Sequence, residues 1–321
     1  MTSPLTLVGA RPVVRDRAAI RLPLQWWRLT ALLSLLAGVA GAVGIVAADR
    51  VYSRETTLLF DVAGAQDLVT VVLVVPVTAL LGMRARGGSL TAFLCLPGCL
   101  AFLAYNYAIY AFSIQFGPLF LLWVALLGLS VFALAGTLVT ADLRAIEQRF
   151  AARAMAGPAW FLMVVAGLFA LLWLSEIVPD LLAGGPSRSA EGWQIPTNPV
   201  HVLDLSVFLP GVLLSGLLLL RRHALGYATV AGQLVWLALT CVPILLTPVV
   251  SAVRGNAADW AVTGPVGALL VTITFVLLRV LHRADSDRGG PVVAVESGRP
   301  PVAASRIKGS YSSADQTPRL S

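Results

Sequence analysis

Eight long apolar segments follow one another along this chain, and they constrain its fold more than any other feature does. A helix rises 1.5 Å per residue, so roughly 20 apolar residues cross a hydrocarbon layer about 30 Å thick. Hydrophobic residues fill 58% of the 321 positions and charged residues only 12%, which is about half the charged fraction of soluble domains. We therefore predict an all-α fold, a polytopic transmembrane helical bundle with eight spans. The predicted spans are Leu29–Ala48, Leu68–Met83, Ser89–Phe112, Gly117–Ala141, Pro158–Val178, Leu205–Leu220, Leu225–Val249 and Trp260–Leu281.

The arginines alternate from loop to loop. They cluster before the first span, in every second loop and after the last span, whereas the remaining loops hold only Arg50, Arg54, Arg188 and Arg254. Loops rich in Lys and Arg stay in the cytoplasm, so we predict a multi-pass protein of the cell membrane with cytoplasmic N- and C-termini. The net charge of +7 then reflects topology and not a nucleic-acid surface. The expected partners are the lipid bilayer and an unidentified membrane protein.

This topology divides the chain into five parts. Residues 1–28 form a basic cytoplasmic segment, and residues 29–141 form a first half of four spans. Residues 142–157 are a cytoplasmic linker, and residues 158–283 form a second half of four spans. Residues 284–321 are rich in Pro, Ser, Gly and Arg and lack apolar periodicity, so we predict a disordered cytoplasmic tail.

The two halves repeat one order of spans and loops. Asp67 and Asp204 each precede a predicted span, Pro76 and Pro210 lie inside these spans, and an arginine follows each aspartate by 17 positions. A parallel 4+4 internal duplication explains this pattern, with the halves related by an axis along the membrane normal. Any eight-span chain that obeys the charge rule shows matching loops, however, and the two prolines are offset differently from the aspartates. Both interpretations stay open.

Polar residues gather toward the predicted outer ends of the spans. Ionisable groups at membrane depth are costly and often mark functional sites. Asp61 and Gln115 belong to this outer polar group as well. The candidate site is formed by Gln66, Asp67, Asn106, Glu176, Asp180, His201 and Asp204.

Asp67 and Asp204 have two interpretations. Aspartate is a preferred N-cap residue, and a helix N-terminus favours negative charge, so both can be structural caps. Alternatively, they form a paired carboxylate site near the pseudo-twofold axis. The spacing of His201 and Asp204 also suits a metal site with Glu176 or Asp180, but a single His–acid pair is an incomplete ligand set. We predict no metal and no cofactor.

Short motifs carry a resemblance to a known family. They are Gly64-Ala65-Gln66-Asp67-Leu68, Pro76, Gly87-Gly88-Ser89, Tyr105-Asn106-Tyr107, Asp204-Leu205, Pro210 and Gly226-Tyr227. With these motifs the chain resembles a family of uncharacterised bacterial polytopic integral membrane proteins over about residues 25–282. The resemblance implies a helical membrane protein and carries over no catalytic or binding residue.

No phosphate loop, metalloprotease motif or Ser–His–acid order is present in the sequence,. We therefore predict a non-enzymatic membrane component, acting as a scaffold, sensor or subunit. One alternative is a transporter of a small or cationic solute that enters through an acidic outer vestibule. Another is an outer-leaflet enzyme acting on lipid-linked substrates. A hydrated cavity shared by Asp67 and Asp204 would favour these alternatives, and two separate sites would favour the first interpretation.

Overall fold

A computed structural model of the protein describes residues 20–150 and 155–285. The predicted disordered tail, apart from its first two residues, and most of the predicted basic N-terminal segment lie outside the described residues. In the described part every regular element is a helix, and eight helices or helix runs are long and apolar enough to cross a membrane. The predicted all-α bundle with eight spans is confirmed.

The elements follow one another in a simple order. They are α1 (Leu24–Val46), α2 (Ala48–Val51), α3 (Thr57–Val69), the π-helix π1 (Thr70–Val74), α4 (Val75–Arg86), α5 (Leu90–Ser113), α6 (Phe120–Val139), α7 (Leu143–Phe150), α8 (Ala156–Ala183), α9 (Arg188–Glu191), α10 (Pro199–Leu203), the π-helix π2 (Asp204–Phe208), α11 (Leu209–Leu220), α12 (Ala224–Val253) and α13 (Thr263–Asp285). The second span is the continuous run α3–π1–α4, and the sixth is the run α10–π2–α11. Helices α2, α7 and α9 are short elements between spans.

The second and sixth spans begin earlier than the sequence predicts. The second begins at Thr57 instead of Leu68, and the sixth at Pro199 instead of Leu205. The predicted N-cap role of Asp67 and Asp204 is therefore wrong. The caps are Thr56, whose hydroxyl accepts the Leu59 N–H at 3.2 Å, and Asn198, whose side chain accepts the Val200 N–H at 2.9 Å. The polar residues 61, 66 and 67 interrupt the apolar run, so hydropathy places the start of the second span too late.

Each of these two spans contains a π-helix just before its proline. Pro76 and Pro210 both come two positions after the last π-helical residue. A proline lacks the N–H for an intrahelical hydrogen bond, and its ring clashes with the carbonyl four residues earlier. A π-turn, with its i→i+5 bonding, widens the helix at this place and is frequent at functional sites.

Helix α5 is the centre of the bundle. In its most apolar stretch 89% of the residues are buried inside the protein, compared with 11% in α13. It packs against α4, α6 and α12, and α12 in turn packs against α3, α11 and α13. The first four spans form a closed ring because α1 contacts both the second span and α6. The last four spans form a row, α8–α11–α12–α13.

The contact between α5 and α12 joins the two halves. A Cβ atom at Gly98 would overlap the carbonyl oxygen of Gly232 and lie 2.6 Å from the Cβ of Val235. Gly232 packs back against Pro97, with 3.4 Å between its ideal Cβ position and the proline ring. Small residues allow such close approach of membrane helices. The halves therefore meet through backbone contact at this crossing.

Two ends of the bundle differ in charge. The arginine-rich end contains the last turn of α4, helix α7, the α11–α12 turn and the last turns of α13. The opposite end contains the loops that follow α1, α8 and α12, which hold four acidic residues and four arginines. We call it the acidic end because the adjoining parts of the helices add Asp61, Asp67, Glu176, Asp180 and Asp204. Main-chain contacts stabilise the arginine-rich end, where the Leu22 N–H donates to the Ala85 carbonyl at 3.1 Å. At the acidic end the Thr56 hydroxyl donates to the Gly192 carbonyl at 3.2 Å, so the two long loops touch.

Candidate functional site

Asp67 lies inside α3, near its end, and is almost completely buried. The Tyr52 hydroxyl donates to its Oδ2 at 2.6 Å. The Tyr110 hydroxyl is 3.0 Å from Oδ1 and 3.1 Å from the Ala63 carbonyl oxygen. Both carboxylate oxygens therefore accept a hydrogen bond from a tyrosine. We call this group, Asp67 with Tyr52 and Tyr110, the Asp67 site.

The sequence makes room for the Asp67 site through a glycine in α1. A Cβ atom at Gly44 would overlap the Asp67 carboxylate and lie 2.8 Å from the Tyr52 hydroxyl. Tyr52 itself follows α2, outside the spans. Burial raises the pKa of the Tyr52 hydroxyl, and the nearby negative charge of Asp67 raises it further. Tyr52 therefore keeps its proton and acts as a donor.

Asp204 is the first residue of π2 and is also buried. The indole N–H of Trp173 donates to its Oδ2 at 2.8 Å. Its Oδ1 is buried and has no hydrogen-bond partner among the described residues. We call Asp204 with Trp173 and the adjacent aromatic side chains the Asp204 site.

Three aromatic rings pack against one another beside Asp204. Tyr105 of α5 faces Phe208 at 4.9 Å and Trp236 at 5.7 Å, both edge-on, while Phe208 and Trp236 stack at 4.9 Å. The indole N–H of Trp236 is buried and has no partner within the described ranges. The Asp204 site thus contains an acceptor and a donor without a hydrogen-bond partner among the residues that the structure describes, which is uncommon for buried polar groups,.

His201 and Glu176 lie next to the Asp204 site. The His201 Nε2 is 3.5 Å from a carboxylate oxygen of Glu176, and the His201 ring lies 4.7 Å from the ring of Trp173. Asp180 does not join them, because it binds Arg188 through the arginine Nε at 2.8 Å and its backbone N–H at 3.0 Å. Within residues 20–150 and 155–285 no group of three His, Cys, Asp or Glu side chains is arranged to hold a metal ion.

The other two residues of the predicted site are Asn106 on α5 and Gln66 on α3. Asn106 is 4% exposed and lies on α5 between Tyr105 and Tyr107. The side-chain nitrogen of Gln66 is buried without a hydrogen-bond partner in the described part of the chain. Asn106 thus lies in the packed interior, while Gln66 is partly exposed and has only its side-chain nitrogen buried.

A third buried carboxylate has a cation as its partner, and the sequence did not predict this pairing. Asp61 is 1% exposed, and its Oδ1 lies 3.1 Å from the Nε of Arg254. The side chain of Asn256 donates to Oδ2 at 2.9 Å, and the Arg254 guanidinium stacks 3.5 Å from the centre of the Phe60 ring. The one signal for this pair in the sequence was the position of Arg254, which is one of the few arginines in the predicted outer loops. The pair connects α3 to the end of α12.

Loops at the acidic end are also connected through Glu55. Its carboxylate accepts the Gln115 N–H at 2.9 Å, and the Gln115 side chain donates to the Arg54 carbonyl at 2.8 Å. Partial burial raises the pKa of Glu55, while the hydrogen bond from Gln115 opposes this shift. These contacts connect the loop after α2 to the turn between α5 and α6.

The π-helices give a register between the halves that differs from the one based on arginines. When Pro76 is aligned with Pro210, π1 matches π2 residue for residue. In this register Asp204 corresponds to Thr70, and His201 corresponds to Asp67. The two aspartates are then three residues apart, close to one helical turn. They are similar in kind but do not occupy equivalent positions.

The fold and the buried polar groups define an integral membrane protein with eight helical spans. Comparison of the chain with protein-family models, with curated proteins and with solved structures finds no match. The resemblance to a bacterial membrane family stays a prediction. What the protein does has to be argued from the geometry of the two carboxylate sites.

Proposed function

We propose that the protein is a non-enzymatic membrane component, acting as a scaffold, sensor or subunit, in which buried carboxylates hold the helices in position. The observation that carries this proposal is that Asp67 and Asp204 use different partners on different faces of α5. Tyr110 serves the Asp67 site and Tyr105 the Asp204 site. Five helical positions separate these tyrosines, so their side chains leave α5 about 140° apart.

This separation argues against a joint reaction centre. A catalytic pair of carboxylates has to reach one substrate from both sides, within hydrogen-bond distance of the reacting atoms. Here a central, nearly fully buried helix lies between the two groups. In addition, both oxygens of Asp67 already accept hydrogen bonds from tyrosines. The carboxylates therefore suit helix-to-helix linkage better than substrate chemistry.

The location that we propose is the cell membrane, with the arginine-rich end in the cytoplasm. Support comes from the positive-inside rule, since Arg84, Arg86, Arg144, Arg221 and Arg222 all lie in loops or helix ends on one side,. Both termini are then cytoplasmic. The acidic end, with Glu55, would face outward.

One specific observation favours a second candidate, transport of a small organic cation. In the part of the chain that the structure describes, one buried oxygen of Asp204 has no hydrogen-bond partner, and the carboxylate lies beside Trp173 and Tyr105. A carboxylate among aromatic faces is a favourable environment for an ammonium group, through charge and cation–π attraction. Intramembrane acids also mark ion and solute pathways. In this candidate the described arrangement is a closed state.

One experiment separates the two candidates. The purified full chain is reconstituted into liposomes, and uptake of radiolabelled choline and of tetramethylammonium is measured against protein-free vesicles. For a non-transporting component we expect no uptake above the background. Uptake that is abolished by Asp204→Asn but kept in Asp180→Asn would overturn the first proposal in favour of transport.

A second measurement tests whether the protein is part of a larger assembly. Native membranes are solubilised in a mild detergent, and the apparent size of the protein is compared with that of the purified chain by native electrophoresis. We expect a larger, discrete assembly in native membranes, unchanged by Asp204→Asn. Migration as the free chain alone would contradict a scaffold or subunit role.

A further inference from the structure

Helix α13 exposes a continuous apolar stripe. It is the least buried span, and Val271, Phe275 and Leu278 have exposed fractions of 70%, 54% and 61%. Their spacing of three and four residues places them on one helix face. Such a stripe is suited to contact with a lipid acyl chain along its length.

The same face becomes polar and arginine-containing over the next two turns. Arg279, His282 and Arg283 continue the three- and four-residue spacing, and with Phe275 and Leu278 they line an open groove of about 470 Å³. The groove lies at the arginine-rich end of the bundle. Its walls are therefore apolar toward the membrane interior, and its positive charge lies toward the membrane surface at the arginine-rich end.

The geometry of Arg279 orients its charge toward this groove. Its guanidinium carbon lies 4.6 Å from the centre of the Phe275 ring, so the cation is held against an aromatic face,. A guanidinium that stacks in this way keeps N–H groups at its edge for a phosphate. Arg283 donates to the Met155 sulfur at 3.5 Å, which holds its side chain beside the start of α8.

We infer that this groove binds an anionic phospholipid of the surrounding bilayer. Arg279 binds the phosphate of the headgroup at the end of the groove lined by His282 and Arg283, and one acyl chain lies along Leu278, Phe275 and Val271. From residue 279 to residue 271 the helix rises about 12 Å, which is most of the thickness of one hydrocarbon leaflet. Basic pockets at the ends of membrane helices are a known type of site for anionic headgroups. This inference is independent of the function proposed above.

The inference is tested on the purified, delipidated full chain in detergent. Binding of phosphatidylglycerol and of phosphatidylcholine is measured by native mass spectrometry over a concentration series. We expect at least about fivefold preference for phosphatidylglycerol, since one basic residue near a charged headgroup contributes roughly this factor. Equal binding of the two lipids would overturn the inference.

Substitutions test whether the phospholipid binds in this groove. Arg279→Gln should weaken phosphatidylglycerol binding about fivefold, and Arg279→Lys should retain part of the binding because the charge remains. Arg221→Gln is the matched control, since it removes one exposed arginine at the same end but outside the groove. Equal effects of Arg279→Gln and Arg221→Gln would show attraction to the whole basic surface and would refute a site at α13. Circular dichroism on each variant checks that the exposed substitutions leave the fold intact.

Discussion

The Asp67 site and the Asp204 site are built from the same kinds of residues but differ in how many hydrogen bonds the aspartate accepts. Each has a buried aspartate within or just before a π-helix that precedes a proline, and each has aromatic donors from other parts of the chain. In the Asp67 site tyrosines occupy both oxygens, whereas in the Asp204 site one oxygen has no partner in the part of the chain that the structure describes. A similar local pattern can therefore produce a fully paired link in one half and an incompletely paired one in the other.

The packing of the two halves explains this difference. The first four spans close into a ring, so α1 and the loop after α2 bring Gly44 and Tyr52 against Asp67. The last four spans form an open row with α8 at one end. From that side Trp173 reaches Asp204 with a direct hydrogen bond. The closed ring of the first half therefore brings hydrogen-bond donors to its buried aspartate from more sides than the open row of the second half does.

Removal of the carboxylates should have the largest effect and should differ between the sites. Asp67→Ala leaves the Tyr52 hydroxyl without its acceptor and leaves Tyr110 only the Ala63 carbonyl, and we expect a loss of about 3 kcal/mol in the free energy of unfolding. Asp204→Ala removes the direct hydrogen bond from the Trp173 indole, and we expect about 1.5 kcal/mol. SDS titration of the purified variants in mixed micelles measures both values. Equal losses would contradict the view that only the Asp67 site is complete.

The glycine beside Asp67 gives the next largest effect. Gly44→Ala places a methyl group against the Asp67 carboxylate and the Tyr52 hydroxyl, and such overpacking costs about 2 kcal/mol. Gly167→Ala in α8 is the matched control, because its Cβ meets nothing within 4 Å. We expect that control to stabilise by up to about 1 kcal/mol through helix propensity. The same titration measures both variants, and a tolerated Gly44→Ala would show that the Asp67 site is loosely packed.

Removal of a single hydrogen-bond donor should cost less stability at the Asp67 site than at the Asp204 site. This order is the reverse of the one expected for the carboxylates. Tyr52→Phe leaves Asp67 with its bond from Tyr110, and we expect a cost of about 1 kcal/mol. Trp173→Phe removes the direct hydrogen bond to Asp204, and we expect about 1.5 kcal/mol. Chemical unfolding followed by circular dichroism separates the two.

A hydroxyl outside both sites provides the control for these donors. Tyr227 stacks on Phe150 at 5.4 Å near the arginine-rich end. Tyr227→Phe should change stability by less than about 0.5 kcal/mol. A cost for Tyr227→Phe equal to that for Tyr52→Phe would mean that loss of any buried hydroxyl accounts for the effect.

The smallest effects should come from the helix caps, and here the two spans should agree. Asn198→Ala and Thr56→Ala each remove one N-cap hydrogen bond, for which we expect about 0.5 to 1 kcal/mol. Thr56 has an additional bond to Gly192 at the surface, so its value should lie at the upper limit. Hydrogen exchange at the first helical turns provides the measurement. Unchanged protection in both variants would place the start of these spans closer to the aspartates, as the hydropathy pattern had suggested.

The start of the second span shows how far sequence reasoning reaches. Apolar content and arginine placement predict the number of spans correctly, and the number agrees with the eight helical runs. They misplace the start by eleven residues, since Leu68 was predicted and Thr57 is observed. Hydropathy treats Asp61 and Asp67 as solvent-exposed groups. The structure buries both, because Arg254 and Tyr52 supply partners that are distant in sequence.

The separation of Asp67 and Asp204 was equally beyond the sequence. Their common distance from an arginine suggested an equivalent pair, while the π-helices and prolines align Asp204 with Thr70 instead. A π-helix is not visible in apolar periodicity, since one wide turn changes the register of a helix without changing its composition. The side of α5 on which each carboxylate lies depends on that register.

Local composition alone determines that this chain forms apolar helices with arginines at one end, because a bilayer requires internal backbone hydrogen bonding and long uncharged segments. The tertiary structure decides which buried acids are paired. A hydrogen bond to a carboxylate depends on a donor within about 3 Å, and only the packing of α1, α5 and α8 brings Tyr52, Tyr110 and Trp173 to that distance.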